Sequence, residues 1–402
     1  MILNSSCGGG GGSGPTSSLV NSSQDSQQVS GRVVAFADNR NANAFASTIQ
    51  ADGKILLAGR ASGECAIARF NPDKKPDTTF NTTGTLFTSN GTGDCEISSI
   101  AAQPDGKILV LNYSQSAYVL SRYKQTGELD NSFGNGGRYV TRYTGYDVLK
   151  KGNLSVGLDG NIFVYGFIDN LTIGITKLWQ NGELNQSYSN GGVARISLSY
   201  RGADRERIIV KTNQDDFLAS LPDIYDFYIL KISSTASIDL DFGNSSNVIN
   251  GIRGMSKVDF DNRFDTLTGI IPISSGGSYL IGVSSFTNFN ATKFDLAVSK
   301  LKPDGNLDTG FNQTGRLVLS NYSNGSYKAV SQPDGKLIIS DGVNTLRIRT
   351  DGTLDPSFKN EAIIPNLFTQ RLSNILLQAD GKIVLVGEDF SFVRLTSAGI
   401  LE

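Results

Sequence analysis

The sequence predicts an all-β protein made of seven copies of one unit, each with four short antiparallel strands. An Asp-Gly turn recurs between runs of alternating apolar residues, and no helical periodicity separates the copies. Asp-Gly between two such runs is the strongest short signal for a β-hairpin, because glycine accepts a positive φ. Four-stranded units arranged around an axis protect one another's edges. The predicted fold is therefore a seven-bladed β-propeller.

The copies align on this turn. In chain order they read IQADGKILLAG from Ile49, AQPDGKILVLN from Ala102, VGLDGNIFVYG from Val156, TNQDDFLASLP from Thr212, ISSGGSYLIGV from Ile273, SQPDGKLIISD from Ser331 and LQADGKIVLVG from Leu377. Copies four and five replace the Asp-Gly pair with Asp215-Asp216 and Gly276-Gly277 but keep apolar runs on both sides. We therefore expect the hairpin in every copy.

Copy two shows the strands expected within one unit. Its four runs are Glu96–Gln103, Lys107–Asn112, Ala117–Tyr123 and Arg138–Tyr143. The first run is rich in Ala and Ser, which suits the crowded strand nearest the axis of a propeller. The fourth run is more mixed, which suits the outer edge of a blade.

The two ends of the chain predict how the ring closes. The last copy stops after its third strand, SFVRLT, whereas the first copy is preceded by VSGRVVAFA, residues 29–37, which matches fourth strands such as GGRYVTRY. We expect this N-terminal strand to complete the last blade. The chain then divides into a tether, residues 1–28, and a propeller, residues 29–402.

The repeat resembles that of the delta-60 family of bacterial surface and secreted proteins. The stretches QPDGKILVLN, LSRYKQTGELDNSFGNGG, SKLKPDGNLDTGF and QPDGKLIISD carry this resemblance, which extends from Val29 to Glu402 and is weakest around copy four. It implies a β-propeller located outside the cytoplasm. It implies no particular reaction, because the family has none in common.

Composition excludes several classes of function. The 402 residues include 36 basic and 38 acidic ones, a net charge of −2, so the chain lacks the basic surface that nucleic acid requires. There is no histidine, which excludes histidine-based triads and histidine-ligated metals. We expect no cofactor, with calcium as the one exception considered below.

The first 28 residues, rich in Gly, Ser and Asn, predict a flexible tether. Cys7 stands directly before five glycines, which resembles the lipidated N-terminal cysteine of mature bacterial lipoproteins. The alternative is a disordered tail with an incidental thiol. The lipoprotein interpretation predicts a protein at the bacterial outer membrane or cell surface, or secreted, that contacts a membrane only through its lipid.

Cys65 and Cys95 fall in loops on the same predicted face of adjacent blades. If Cys7 carries the lipid, these two form an even pair, and export permits a disulfide between them. The alternative is two separate free thiols. A cysteine nucleophile is not expected, because no histidine is present to activate it.

One charged pattern recurs in every copy. A basic residue on the third strand occupies a fixed place: Arg69, Arg122, Lys177, Lys231, Lys300, Arg347 and Arg394. Eight residues later stand Asp77, Asp130, Asn185, Asp239, Asp308, Asp355 and Glu402. Three residues after these stand Phe80, Phe133, Tyr188, Phe242, Phe311 and Phe358. A reactive site needs one distinctive environment, so this repetition favours a structural role over a ring of binding sites.

Residues outside the repeat are the better functional candidates. Turns of the repeat fall on one face of the propeller, while the hairpins between second and third strands and the links between blades fall on the other, the variable face. In copy four the hairpin carries Asp223, Tyr225, Asp226 and Tyr228, and the following link carries Asp259, Phe260, Asp261, Phe264 and Asp265. We expect the hairpin and the link to be neighbours in space.

Acids interleaved with aromatics have three interpretations: a partner surface, a calcium site or an ordinary solvated loop. The spacing of Asp259, Asp261 and Asp265 is only loosely typical of calcium, since the glycine and distal glutamate of an EF-hand are missing. The copy-five hairpin adds Phe286 and Phe289, which form an adhesive surface if exposed and a small core if folded inward.

The sequence therefore favours a binding or scaffold module of the bacterial envelope that recognises a protein or a glycan through its variable face, and not an enzyme. One alternative is a carboxylate-based lyase or glycosidase at the propeller axis. That alternative needs paired acids near the first strands, where only Glu96 comes close. Another alternative is a structural subunit of an envelope appendage.

Overall fold

Seven antiparallel sheets follow one another along the chain in the computed structural model. The structure describes residues 31–36, 41–88, 95–114, 117–143, 152–198, 207–221, 225–243, 252–286, 294–320, 322, 327–359 and 371–402. Gly31–Glu402 belong to one compact unit. The described residues form strands and turns, and none of them forms a helix long and apolar enough to cross a membrane.

The strands begin with a short N-terminal one and continue through three blades. These strands are β1 Val33–Val34, β2 Ala42–Ile49, β3 Ile55–Ala61, β4 Glu64–Phe70, β5 Thr85–Thr88, β6 Ile97–Ala102, β7 Ile108–Ser114, β8 Ala117–Tyr123, β9 Arg138–Thr141, β10 Gly152–Val156, β11 Ile162–Phe167, β12 Thr172–Leu178 and β13 Val193–Ser197.

The remaining four blades follow. Their strands are β14 Ile209–Lys211, β15 Phe217–Leu221, β16 Phe227–Ile232, β17 Met255–Val258, β18 Phe264–Pro272, β19 Ser278–Ser285, β20 Asp295–Leu301, β21 Arg316–Leu319, β22 Lys328–Ser331, β23 Leu337–Ser340, β24 Thr345–Ile348, β25 Leu372–Leu377, β26 Ile383–Gly387 and β27 Ser391–Leu395.

Each sheet is one blade, with its strands paired in chain order. Blades one to five are β2–β5, β6–β9, β10–β13, β14–β17 and β18–β21, and the described part of blade six is β22–β24. The first strands of neighbouring blades contact one another around the ring, so they lie innermost. The chain is a seven-bladed β-propeller, as the sequence predicts.

The turns of the repeat form as expected. Gly53 has a φ of 82°, and the amide of Gly53 donates to the carbonyl of Gln50 at 2.9 Å. In copy four the equivalent position is Asp215, which takes the same left-handed conformation with a φ of 63°. Aspartate tolerates this conformation better than most residues, so the turn survives without its glycine.

The N-terminal strand closes the ring. In blade seven the order is β25, β26, β27 and β1, and Val33 pairs with Phe392 in antiparallel register. The amide of Ala35 donates to the carbonyl of Phe390 at 3.0 Å, and Arg32 forms an ion pair with Asp389. The predicted pairing of the two chain ends is confirmed.

The recurring charges form an ion pair within most copies. The basic nitrogen and the carboxylate oxygen are 2.7 Å apart in Arg69–Asp77, 2.8 Å in Arg122–Asp130, 3.4 Å in Lys231–Asp239, 2.9 Å in Lys300–Asp308, 2.9 Å in Arg347–Asp355 and 2.5 Å in Arg394–Glu402. In copy three, where the acid is Asn185, Lys177 instead pairs with Asp159 at 3.7 Å.

The aromatic that follows each acid is buried in the seam between blades. Phe80, Phe133 and Phe311 are fully buried, and the others are nearly so. A hydrogen bond between backbone groups of neighbouring blades lies beside each described aromatic of this set except Tyr188. These bonds run from Asn81 to Thr126, Gly134 to Asn181, Gly243 to Asp304, Asn312 to Asp351 and Lys359 to Ala398. The geometry therefore matches the structural interpretation of the repeat.

Candidate binding surface

Three segments of the variable face converge where blade four meets blade five. They are the hairpin before β16, the link between β17 and β18, and the end of β19. The rings of Tyr225 in the hairpin and Phe264 in the link are 5.4 Å apart. The expectation that hairpin and link are neighbours is confirmed.

Phe286 follows β19 and stands at the surface. Its side chain is 73% exposed, and the guanidinium of Arg263 lies 3.6 Å from the centre of its ring. Arg263 is itself held by Asp295, with Nη1 and Oδ2 at 2.9 Å. Of the two outcomes considered for this hairpin, Phe286 takes the exposed one. Phe289 lies outside the described residues.

Together Tyr225, Arg263, Phe264 and Phe286 form what we call the aromatic patch. Phe264 pairs across the strands with Ser285, so the Arg263–Phe264 and Ser285–Phe286 steps lie side by side. Tyr225 is 55% exposed, and its ring packs against the ring of Phe264. Two exposed rings are therefore held by two supporting side chains from a different segment.

Three carboxylates form an acidic cluster next to the patch: Asp226, Asp259 and Asp265. One oxygen from each lies within 4.8 Å of those of the other two. Asp265 is fully buried, Asp226 is 8% exposed and Asp259 is partly exposed. The cluster is thus open to solvent on the Asp259 side.

The structure changes the membership of the predicted acidic site. Asp261 lies outside the cluster, because its side chain is 83% exposed and faces Arg316 at 3.7 Å. Asp226 takes its place. Asp223 lies outside the described residues.

Phe260 was predicted as a binding residue, and the structure places it in the core. It is 2% exposed, and its ring packs edge-on against Phe227 with centres 5.2 Å apart. The reason is the turn in the link. Asp261 and Asn262 both adopt left-handed φ values, 62° and 59°, which folds Phe260 under the surface.

The link is held in this shape by its own contacts. The amide of Asn262 donates to Oδ1 of Asp259 at 2.7 Å, and Arg316 donates to the carbonyl of Asp259. The amide of Phe260 donates to Oδ2 of Asp265 at 3.0 Å. These bonds orient the cluster's carboxylates with respect to the backbone.

Two carboxyl groups of the acidic cluster have raised pKa values. Burial raises the pKa of Asp265 to about 6; the Ser284 hydroxyl and the Phe260 amide oppose this shift, and the charges of Asp226 and Asp259 add to it. Burial also raises the pKa of Asp226, against the effect of the Lys257 ammonium at 2.9 Å and the Tyr228 hydroxyl at 3.1 Å. Burial, with a smaller contribution from the neighbouring carboxylates, therefore disfavours the ionised forms of Asp226 and Asp265.

Cys65 and Cys95 are joined by a disulfide with an S–S distance of 2.13 Å. Cys65 lies on β4 and Cys95 just before β6, so the bond links blades one and two. Both cysteines are almost completely buried. Cys7 lies outside the described residues.

The innermost strands offer little support for acid chemistry at the axis. Among their described residues Asp265 is the only acid, and its side chain is fully buried. Glu96 precedes β6, and its amide donates to the side chain of Asn112 at 2.8 Å. No close pair of acids faces the axis from these described strands.

Sequence reasoning missed two residues. Arg263 was in the chosen link but was not selected, although it positions Phe286. Phe45 lies at a bulge in β2 and is 51% exposed. The equivalent bulge positions in three other innermost strands are occupied by Ser98, Thr268 and Ser373. Each of these residues donates a hydrogen bond from its hydroxyl to a backbone carbonyl of the adjacent strand. Comparing copies position by position would have singled out Phe45.

Comparison with known families supports a propeller repeat. Residues 50–80, 103–133, 279–311 and 332–358 match a family described as a domain of unknown function (DUF5122) beta-propeller. Each segment runs from near the turn after the first strand to the buried aromatic in the seam. No curated protein sequence matches the chain.

The fold is similar to that of several solved structures. Virginiamycin B lyase from Staphylococcus aureus has a TM-score of 0.53 and 10% identity, covering 91% of this chain and 98% of that one. A catalytically inactive variant of that lyase with quinupristin gives a TM-score of 0.55 at the same identity and coverage. Drosophila semaphorin 1a, domains 1–2, gives 0.49 at 10% identity, covering 91% and 88%. Identities this low establish the fold alone.

Proposed function

We propose that this protein is an extracytoplasmic binding module that captures a protein partner through the aromatic patch. The observation that supports this most directly is Phe286, exposed at the surface with Arg263 stacked on its ring. Tyrosine and arginine are enriched among the residues that dominate protein interfaces. Rings that are already positioned lose little conformational entropy on binding.

Charges around the patch favour a basic partner. Asp259 is partly exposed, and Asp261 is 83% exposed with Arg316 at 3.7 Å. The positive charge of Arg263 is neutralised by Asp295. An exposed aromatic pair flanked by acids suits a partner that offers basic side chains around an apolar pocket. Such charges mainly accelerate encounter and select the partner.

The location is part of the same proposal. The resemblance to delta-60 repeats and the Cys7 tether support a protein lipid-anchored at the bacterial outer membrane or cell surface, or secreted. An inter-blade disulfide is compatible with a compartment outside the cytoplasm. Incorporation of labelled palmitate that persists in a Cys7→Ser variant would contradict the lipid anchor.

The partner surface is tested by affinity capture from envelope extracts with the full chain. We expect Tyr225→Ala combined with Phe286→Ala to remove the captured protein bands. Trp179→Ala is the matched control, because Trp179 is 45% exposed in a turn after β12, on the opposite face. Both variants should melt close to the wild-type temperature, since none of these side chains is buried.

An unchanged set of captured proteins with the patch variant would refute the proposal. Treating the extract with protease or with periodate distinguishes a protein partner from a glycan partner. Capture that resists protease but is lost after periodate oxidation of sugars would show that a glycan, and not a protein, is bound.

A further inference from the structure

The geometry points to a divalent-cation site, best suited to Ca²⁺, formed by Asp226, Asp259 and Asp265 between blades four and five. This inference goes beyond the proposed partner surface and stands without it. The sequence alone suggested calcium for a different set of acids, which included Asp261 and omitted Asp226. The new set depends on contacts that only the structure supplies.

The arrangement of the carboxylate oxygens suits a bound cation. Carboxylate oxygens from all three residues lie within 4.8 Å of one another. Ca²⁺ binds carboxylate oxygens at about 2.3–2.6 Å, so one ion placed between them reaches all three. Mg²⁺ requires shorter bonds of about 2.0–2.1 Å in a near-octahedral arrangement, which this spacing fits less well.

One buried carboxylate oxygen of the cluster lacks a hydrogen-bond partner among the described residues. Asp265 is fully buried, and its Oδ2 accepts from the amide of Phe260 at 3.0 Å. Ser284 lies directly across the strand pair, and its hydroxyl is near enough to lower the pKa of Asp265, but among the described residues no group reaches Asp265 Oδ1 with hydrogen-bond geometry. A buried polar atom without a partner is costly, and a cation would satisfy it.

The balance of charge around the cluster also favours a cation. Lys257 supplies one ammonium to the three carboxylates, on Oδ2 of Asp226. Arg263 and Arg316, the guanidinium groups of the neighbouring strands, are paired with Asp295 and Asp261. Within the described residues, three negative charges against one positive charge leave an excess of two, which a divalent ion would neutralise.

Lys257 competes with a cation for a carboxylate oxygen of the cluster, and this competition can be tested by substitution. Its side chain is 39% exposed, so the ammonium can move into solvent when an ion arrives. Removing this charge should therefore strengthen cation binding, whereas a purely structural cluster would be weakened by losing its one ammonium.

The test titrates the full chain, first treated with a chelator, with CaCl₂ in a calorimeter. We expect one ion per chain, and we expect Asp265→Asn to weaken binding by at least about tenfold, because both ligand charge and number fall. Lys257→Gln should tighten binding by roughly threefold or more through loss of the competing charge. Asp261→Asn, a neighbouring exposed acid outside the cluster, should change the affinity by less than about twofold.

Terbium luminescence locates the ion independently. The hydroxyl of Tyr228 is 3.1 Å from Oδ2 of Asp226, close enough to sensitise bound Tb³⁺. Tyr228→Phe should reduce this emission while Ca²⁺ still displaces the probe. If Asp265→Asn does not fold, Asp226→Asn replaces it in both experiments.

Absence of saturable Ca²⁺ binding to the wild type would overturn the inference, as would an Asp265→Asn variant that binds as tightly as the wild type. Weaker binding after Lys257→Gln would also contradict it. These measurements involve no partner, so failure of partner capture and failure of the cation site are distinguishable.

Discussion

At the scale of single residues, Arg122 shows how a repeated charge serves the fold. Its Nε pairs with Asp130 at 2.8 Å, its Nη1 donates to the carbonyl of Gln180 in the next blade at 2.6 Å, and its guanidinium lies 4.5 Å from the ring centre of Phe133. One side chain thus ties an acid, an aromatic and a neighbouring blade together.

Removing the acid of such a pair should destabilise the protein in proportion to burial. Asp130→Ala leaves Arg122, 5% exposed, without its carboxylate, and we expect a loss of about 1–3 kcal/mol in the free energy of unfolding. Asp308→Ala should cost less, because in the Lys300–Asp308 pair the side chains are 18% and 26% exposed and water can replace the partner.

Denaturant unfolding of both variants measures this difference. Asp105→Ala, in the exposed turn of the same blade, serves as the control and should change the stability little, since its side chain is 53% exposed. Equal losses for Asp130→Ala and Asp308→Ala would contradict the dependence on burial.

At the scale of elements, the positions of strands and turns could be predicted, because period-two apolar runs and Asp-Gly turns are local signals. The exposure of individual site residues could not. Phe260 and Phe286 both stand near acids in variable segments, yet one is 2% and the other 73% exposed. Phe260 is buried because Asp261 and Asn262 both adopt left-handed backbone conformations. A turn that contains neither glycine nor proline is difficult to predict from a single sequence.

The acidic site was predicted correctly as a neighbourhood but not as a set of ligands. Hairpin and link were expected to meet, and they do. Which carboxylates point together depends on the register of β16 against β17 and on the depth of Asp265, which is paired with Ser284 on β19. Spacing along one loop suggested Asp261, whereas the structure brings in Asp226 from another segment.

Ring closure by β1 yields a prediction about elements. Deleting residues 29–37 removes the strand that covers β27, together with the ion pair from Arg32 to Asp389. Blade seven then has an open edge, and Phe390 and Phe392 lose packing partners. We expect a lower melting temperature for the whole propeller in calorimetry.

Deletion of residues 1–28 is the control for this truncation. The sequence predicts a tether there, and we expect the melting temperature to remain that of the full chain. If the longer deletion also melts like the full chain, the N-terminal strand does not stabilise the ring.

At the scale of the whole molecule, the carboxylates of the recurring ion pairs contribute a dependence of stability on acid. Burial by itself would raise the pKa of Asp355, but the Ser357 hydroxyl and amide and the charge of Arg347 outweigh it and lower the pKa from 3.8 to about 2. The pKa values of Asp77, Asp130, Asp308 and Glu402 are also lowered. The folded state therefore binds protons on these groups less readily than the unfolded chain.

The sign of the effect follows from linkage. Stability from these groups is complete above their ordinary pKa near 4 and is lost as the pH falls toward about 2. We expect the free energy of unfolding to fall between pH 5 and pH 2, and to fall less in Asp355→Asn, which has no carboxylate to protonate. Denaturant unfolding at several pH values checks this, and an identical slope for the variant would contradict it.

The closure of the ring also has a mechanical consequence. The segment that leads to residues 1–30 enters the propeller through β1, whose described pairing with β27 is only Val33–Phe392 and Val34–Ser391. A pull on that segment therefore loads two residue pairs, the hydrogen bond from Ala35 to Phe390 and one ion pair before it loads any complete blade. Under tension the propeller should open at this junction first, while the other blades keep their strands.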